Sequence, residues 1–139
     1  MELGAALSFA TGRRNGVLVT QRANGRPQLS NIAFGVSEGV VRISITSERA
    51  KYRNLERVPH ASLYVGREDF GAYVVIDGDA ELSPIAMEPD DATVDELIEL
   101  YRSVVGEHPD WDDYRRAMVA DRRVVVRLRP THAYGMISA

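Results

Sequence analysis

The chain has 139 residues, enough for one domain, and at that length roughly 70% of the surface of the unfolded chain can be buried without covalent staples. Hydrophobic residues make up 45% and charged residues 27%, and the formal net charge of -3 argues against a general nucleic-acid or membrane-surface binder. The absence of cysteine removes disulfides, thiolate nucleophiles and cysteine-held metals, and fits a reducing compartment. The first fifteen residues lack the basic cluster and the apolar length of a signal peptide, and no run is long enough for a membrane helix, so a cytoplasmic protein is expected.

In chain order, residues 1–11 read as a short helix stopped by Gly12. The run "NGVLVTQ" alternates as a strand, and Asn24-Gly25 marks a hairpin returning through "PQLSNIAFGV". On that return strand Gln28 and Ser30 share one face, Leu29 and Asn31 the other. A turn at 37–39 leads into "VVRISIT", with Val41, Ile43 and Ile45 on one face and Arg42, Ser44 and Thr46 on the other, the pattern of a half-buried strand. A helix follows in "SERAKYRNLER", closed by Pro59. Two more strands, "HASLYVG" and "AYVVIDGDAELSP", come next, with a bulge expected at Gly78.

Beyond Pro84 the period changes. Val94, Leu97, Ile98, Tyr101, Val104 and Val105 form a helical stripe, Thr93 and Glu96 have the spacing of a capping box, and Gly106 supplies the stop. "DWDDYRRAMVAD" reads as a second helix capped by Asp110, and "RRVVVRLRPTHAYGM" as a closing strand. Antiparallel strands at this spacing, with a helical insertion, indicate a barrel or sandwich.

Familiar catalytic patterns are missing. His60, His108 and His132 lie far apart, in expected turns, and no metal is predicted; the acidic run "EPDDATVDE" is best read as complementing a helix N-terminus. No nucleophile elbow, P-loop or dinucleotide glycine loop is present. What remains is a basic segment. Arg49 and Lys51 stand in a first helical turn, where the dipole disfavours cations and the free N–H groups favour an anion. Ser44, Thr46 and Ser47 add hydroxyls just upstream. A solvated helix face and an anion site both fit this pattern on its own terms, with Arg49, Arg53 and Arg57 sharing one side.

Three stretches, "NGVLVTQRANGRPQLSNIAF", "RAKYRNLERVPHASLYV" and "DDATVDELIELYRSVVGEHPDWDDYRRAMVADRRVVVRL", resemble the actinobacterial deazaflavin (coenzyme F420)-dependent oxidoreductases of the pyridoxamine-5'-phosphate-oxidase-like split-barrel superfamily. The likeness runs from about Gly16 to Gly135. It implies a mainly β fold over residues 1–139: a six-stranded antiparallel split β-barrel with short helices, forming a homodimer with a flavin-like cofactor in each of two interface grooves. By that resemblance Arg49, Ala50 and Lys51 match the segment holding the phosphate and acidic tail of F420. Ser44 and Ile45 match the strand lining the groove, and Pro27, Gln28 and Ser30 the stretch beside the ring system. Asn54 and Arg53 are further candidates from the same helix, and Tyr73 matches an aromatic contributed across the dimer. Close relatives carry a tryptophan just before that tyrosine, where this chain reads "DFGAY"; Gly71 implies a more open corner, part-filled by Phe70. The implied activity is hydride transfer between F420H2 and an electron-poor small molecule. FMN is the alternative cofactor, and a non-catalytic F420 carrier the alternative role. No catalytic residue is assigned; Tyr134, His132 or solvent are the candidates for protonating product.

Overall fold

The computed structural model describes residues 1–137, so the expected domain of 1–139 reaches two residues beyond the described part. Along the chain run α1 (Leu3–Ala10), β1 (Asn15–Gln21), β2 (Pro27–Ala33), β3 (Gly35–Ser37), β4 (Val40–Thr46), α2 (Ala50–Arg57), β5 (His60–Gly66), β6 (Tyr73–Leu82), α3 (Ala92–Val104), α4 (Trp111–Ala120) and β7 (Arg123–Met136). The strands form one antiparallel sheet in the order β2-β1-β5-β6-β7-β4-β3.

That order dictates the curvature. β2 and β3 are the two edges of the sheet, yet only Phe34 separates them in sequence. Laid flat, seven strands would hold their edges roughly 29 Å apart. The two Cα steps from Ala33 to Gly35 reach at most about 7.6 Å. The sheet therefore has to curl until the end of β2 approaches the start of β3, and since these two edges do not pair it is a curled, split half-barrel. Seven strands form, one more than the six expected, because the return strand read as 27–36 breaks at Phe34. The Phe34 side chain turns into the core, and its N–H donates to the Arg14 carbonyl at 2.9 Å.

The alternation read from the sequence fills the interior. Leu18, Ile43, Leu63, Val65, Val74, Ile76, Val126 and Leu128 are fully buried, and α1 and α2 add Ala6, Ala10 and Leu55 to the same cluster. The hairpin after β1 turns at Gly25 (φ 83°), with the Asn24 side chain accepting the Arg26 N–H at 3.0 Å. The bulge expected at Gly78 is present as a register shift between Asp77 and Gly78; a Cβ there would lie 2.5 Å from the Arg129 carbonyl oxygen, so only glycine fits. His60 and His132 prove to be strand residues, and only His108 lies in a loop.

A second, smaller core lies outside the barrel. α3 and α4 form a hairpin whose Val94, Leu97, Ile98 and Met118 pack over Val125 of β7. The cap of α3 corrects the sequence reading. Asp91, not Thr93, accepts the N–H of Val94 (2.8 Å), while the Thr93 hydroxyl donates to the Pro84 carbonyl (2.9 Å). Glu96 does not reach back to its own helix end. It receives hydrogen bonds from Arg42 (2.9 Å) and Arg127 (2.8 Å), clamping α3 onto β4 and β7. Asp110 caps α4 as expected, accepting from Asp113 at 3.1 Å. No helix of the described residues is long and apolar enough to cross a membrane.

Candidate anion and cofactor site

The chain leaves β4 at Thr46 and enters α2 with Arg49 as the N-cap residue, in an extended conformation and with no side-chain cap. No acidic residue stands in the first turn of α2. Of its leading N–H groups, that of Tyr52 donates to the Arg49 carbonyl at 3.1 Å, while those of Ala50 and Lys51 receive no side-chain cap, in a field that already favours negative charge.

Beside this helix end is a cavity of about 610 Å³. Ser44, Thr46, Arg49 and Lys51 form one side, with Ile45 bordering it from the core. Asn31, Ile32 and Ala33 of β2 form the second side. The third is the helical hairpin, through Leu100, Tyr101, Val104, Tyr114 and Met118. Tyr114 is held there by donating its hydroxyl to the Leu97 carbonyl (3.2 Å), and burial pushes its phenol up to about 12. One wall is cationic and hydroxylic, the opposite one apolar and aromatic.

A third cation completes the polar wall. Arg123, the first residue of β7, is the register partner of Thr46, which sets it on the outer face shared with Ser44. One of its terminal nitrogens donates to the Ser44 hydroxyl at 3.4 Å and to the Ser44 carbonyl at 3.5 Å. No aspartate or glutamate lines the cavity. Burial, then Arg49, then Arg123, push the Lys51 ammonium below the ordinary lysine value. Among the described residues Asp121, at 3.7 Å from Arg123 Nε, is the one carboxylate paired with this group, and it lies outside the lining. The three cations repel one another, and an anion between them would relieve that repulsion.

The structure gathers four of the expected residues, Ser44, Ile45, Arg49 and Lys51, around this one cavity. Ala50 lies between the two cations as the first residue of α2 but is not part of the lining. Asn54 is buried and engaged elsewhere: its amide donates to the Thr20 hydroxyl (3.1 Å) and its carbonyl accepts from Arg57 (3.1 Å). Arg57 also donates to the Gln21 carbonyl at 2.7 Å, so these two residues fasten α2 to β1. Arg53 is exposed.

Gln28 and Ser30 sit opposite Thr20 and Leu18, on the same side of β2 as the lining residue Ile32, and do not themselves line the cavity. Pro27 borders a smaller cleft with Gln21 and His60. Tyr73 stacks on Tyr64, with ring centres 5.6 Å apart. Tyr64 and Phe70 border a second cleft of about 680 Å³, which shares Asn31, Ile32 and Ala33 with the cationic one. Phe70 is 83% exposed and takes a left-handed φ of 60°. Tyr134 and His132, the candidate proton donors, lie side by side on β7 with ring centres 6.2 Å apart and outside the cationic cavity. Sequence reasoning missed Arg123 and the aromatic wall of the hairpin. Both depend on the pairing of β4 with β7, whose only sequence signal is the alternation within each strand.

Residues 4–137 match the family model described as pyridoxamine 5'-phosphate oxidase, and the chain belongs to that family. Among solved structures it is similar to an F420 reductase, at 27% identity over 91% of this chain and 94% of that one, with a TM-score of 0.65. Two more distant structures share the fold. One is the conserved hypothetical protein Rv2991 from Mycobacterium tuberculosis, at 20% identity over 98% and 84% of the two chains (TM-score 0.75). The other is HutZ, a heme storage protein from Vibrio cholerae, at 19% identity over 98% and 96% (TM-score 0.70).

Proposed function

We propose that this protein is an F420-dependent reductase that transfers a hydride between F420H2 and an electron-poor small molecule, working as a homodimer. The observation that carries this reading is the meeting of Arg49, Lys51 and Arg123 around one cavity without a lining carboxylate. Two buried polar atoms lack a hydrogen-bond partner: Nε of Arg123, a lining residue, and Oγ of Ser47, which follows the lining residue Thr46 but does not itself line the cavity; the residues present fit an anionic group. The similarity to an F420 reductase supports the choice of deazaflavin over FMN.

On this reading Arg49 and Lys51 hold the cofactor's phosphate and acidic tail, together with the leading N–H groups of α2. Ser44 and Thr46 supply hydroxyl donors along the strand. The apolar wall of the hairpin, from Leu100 to Met118, excludes water from the cavity. When bound, the reduced deazaflavin supplies the hydride; the protein supplies binding, orientation and a dry wall. The homodimer is supported by the outer sheet face, where Leu29, Tyr134 and Met136 are large, apolar and exposed beside Val17 and Val19.

Fluorescence titration of the purified protein with F420 and FMN, with hemin as a third arm, tests the reading. Tight F420 binding and oxidation of F420H2 by an enone, quinone or nitro acceptor are expected. FMN or hemin retention without F420 affinity would overturn it. F420 binding without turnover on any acceptor would leave a carrier in place of an enzyme.

A further inference from the structure

The cations of the cleft come from two distant places in the chain. Arg49 and Lys51 stand on α2, whereas Arg123 arrives through the turn that joins α4 to β7. That turn is held in an unusual way. Arg122 adopts a left-handed φ of 53°, which a long L side chain rarely takes. Its N–H donates to the Val119 carbonyl at 3.0 Å, and its own carbonyl accepts the N–H of Ser47, also at 3.0 Å. The turn is thereby fixed to the segment that leads into α2.

The residues flanking this tie share a second peculiarity. Ser47 Oγ and Arg123 Nε are the only buried side-chain polar atoms without a hydrogen-bond partner among the described residues. The nearest carboxylate to Arg123 Nε is that of Asp121, at 3.7 Å, beyond hydrogen-bond reach. Both atoms can donate a hydrogen bond, and both lack an acceptor. A buried donor left unmade is costly, so two at one junction, beside a cavity lined by three cations, point to an acceptor that comes from outside.

We infer that Ser47 and Arg123 form the second jaw of the anion site, closing on a phosphoryl or carboxylate group that Arg49 and Lys51 grip from the other side. The inference rests on the cationic cavity of the proposed function but not on which cofactor fills it. Arg123 belongs to the exit of the helical hairpin, so an anion held in both jaws also fastens the hairpin to the β4–α2 junction. Anion binding then rigidifies α4 and the turn after it.

Inorganic phosphate is the probe, followed by 31P NMR titration and by amide hydrogen exchange of residues 111–123. Arg123→Gln weakens phosphate binding by about tenfold or more, and Ser47→Ala by several-fold, as expected for loss of charge-assisted and neutral hydrogen bonds respectively. Arg123→Lys falls between wild type and Arg123→Gln, since it keeps the charge but not the forked donor. Phosphate slows exchange in the α4–β7 turn of the wild-type protein and not in Arg123→Gln. If Arg123→Gln unfolds, Arg123→Lys and Ser47→Ala carry the same comparison. Binding that survives Arg123→Gln and Ser47→Ala but is lost in Lys51→Ala would overturn the second jaw and leave the cofactor reading standing. Binding indifferent to Lys51→Ala as well would overturn both.

Discussion

The helix that borders the cationic cavity and the two helices that wall it begin in opposite ways. α3 opens with Asp91 as cap and Asp95 in its first turn; α4 opens with Asp110 as cap and Asp112 and Asp113 behind it. α2 opens with Arg49 and Lys51, no cap and no acid. The same chain thus places acids at two helix N-termini as the dipole asks, and cations at the third against it. Where the charges obey the dipole, the helix end is complete in itself. Where they oppose it, the helix end is left without a complementary charge of its own, and that is the feature on which the proposed anion site rests.

The largest expected effect comes from making α2 resemble its neighbours. Arg49→Asp supplies a cap worth about 1 kcal/mol, so the unliganded protein gains a few degrees in thermal midpoint. In the same variant F420 affinity falls by about 100-fold or more, through one lost charge-assisted bond and one new repulsion. Calorimetry and fluorescence titration on one sample read both. A variant that loses stability and keeps affinity would break the comparison.

The converse change is Asp91→Ala. Its carboxylate accepts from Val94, Met87 and Glu88, so removal costs about 1–2 kcal/mol of stability while F420 affinity stays within a few-fold. Denaturant unfolding measures the first and titration the second.

The two kinds of helix end also titrate oppositely. Burial pushes the Asp91 carboxyl up, but the backbone N–H groups of Met87, Val94 and Glu88 outweigh it, and the net position is below the usual carboxylate value. The hydrogen bond from Arg127, helped by Arg42, likewise holds Glu96 low against its burial. Both stabilise the fold above the ordinary carboxylate range of about 4, and that stability is lost as pH falls through their depressed values. Lys51 has the reverse effect. Its folded value lies below the ordinary one of about 10.4, so the unliganded protein gains stability as pH rises through that window, and anion affinity falls in the same window. Lys51→Arg should flatten the alkaline limb of the binding profile; an unchanged profile would place the titrating group elsewhere. The smallest effect belongs to Arg53→Ala. It removes an exposed cation outside the cavity lining and should change affinity less than about twofold by the same titration.

How much of this was legible before the structure depends on the range of the interaction concerned. Local patterns read correctly: the Asn24-Gly25 turn, the alternation of Val41, Ile43 and Ile45, the bulge at Gly78, and the reversed charges of α2. The break at Phe34 did not, since nothing local forbids a strand from continuing through "AFGV"; the barrel's need to join its two edges does. The capping box failed for a similar reason. Glu96 has the right spacing to serve its own helix, but Arg42 and Arg127, from two other strands, offer charged partners that win. Arg123 was invisible as a site residue because its position opposite Thr46 is a fact about register between strands 77 residues apart, counting from 46 to 123.

The position of β7 has a consequence for how the molecule is assembled. It is the last strand in chain order, yet it lies between β6 and β4, pairing with β4 through Arg123–Leu128 and with β6 through Val126–Met136. Until it emerges during synthesis, β4 and β6 present unpaired backbone to any passing strand, and the barrel stays open on that side. The residue that begins β7 is also Arg123. Closing the barrel and completing the basic cluster are therefore one event, so a half-made chain carries Arg49 and Lys51 without Arg123 beside them.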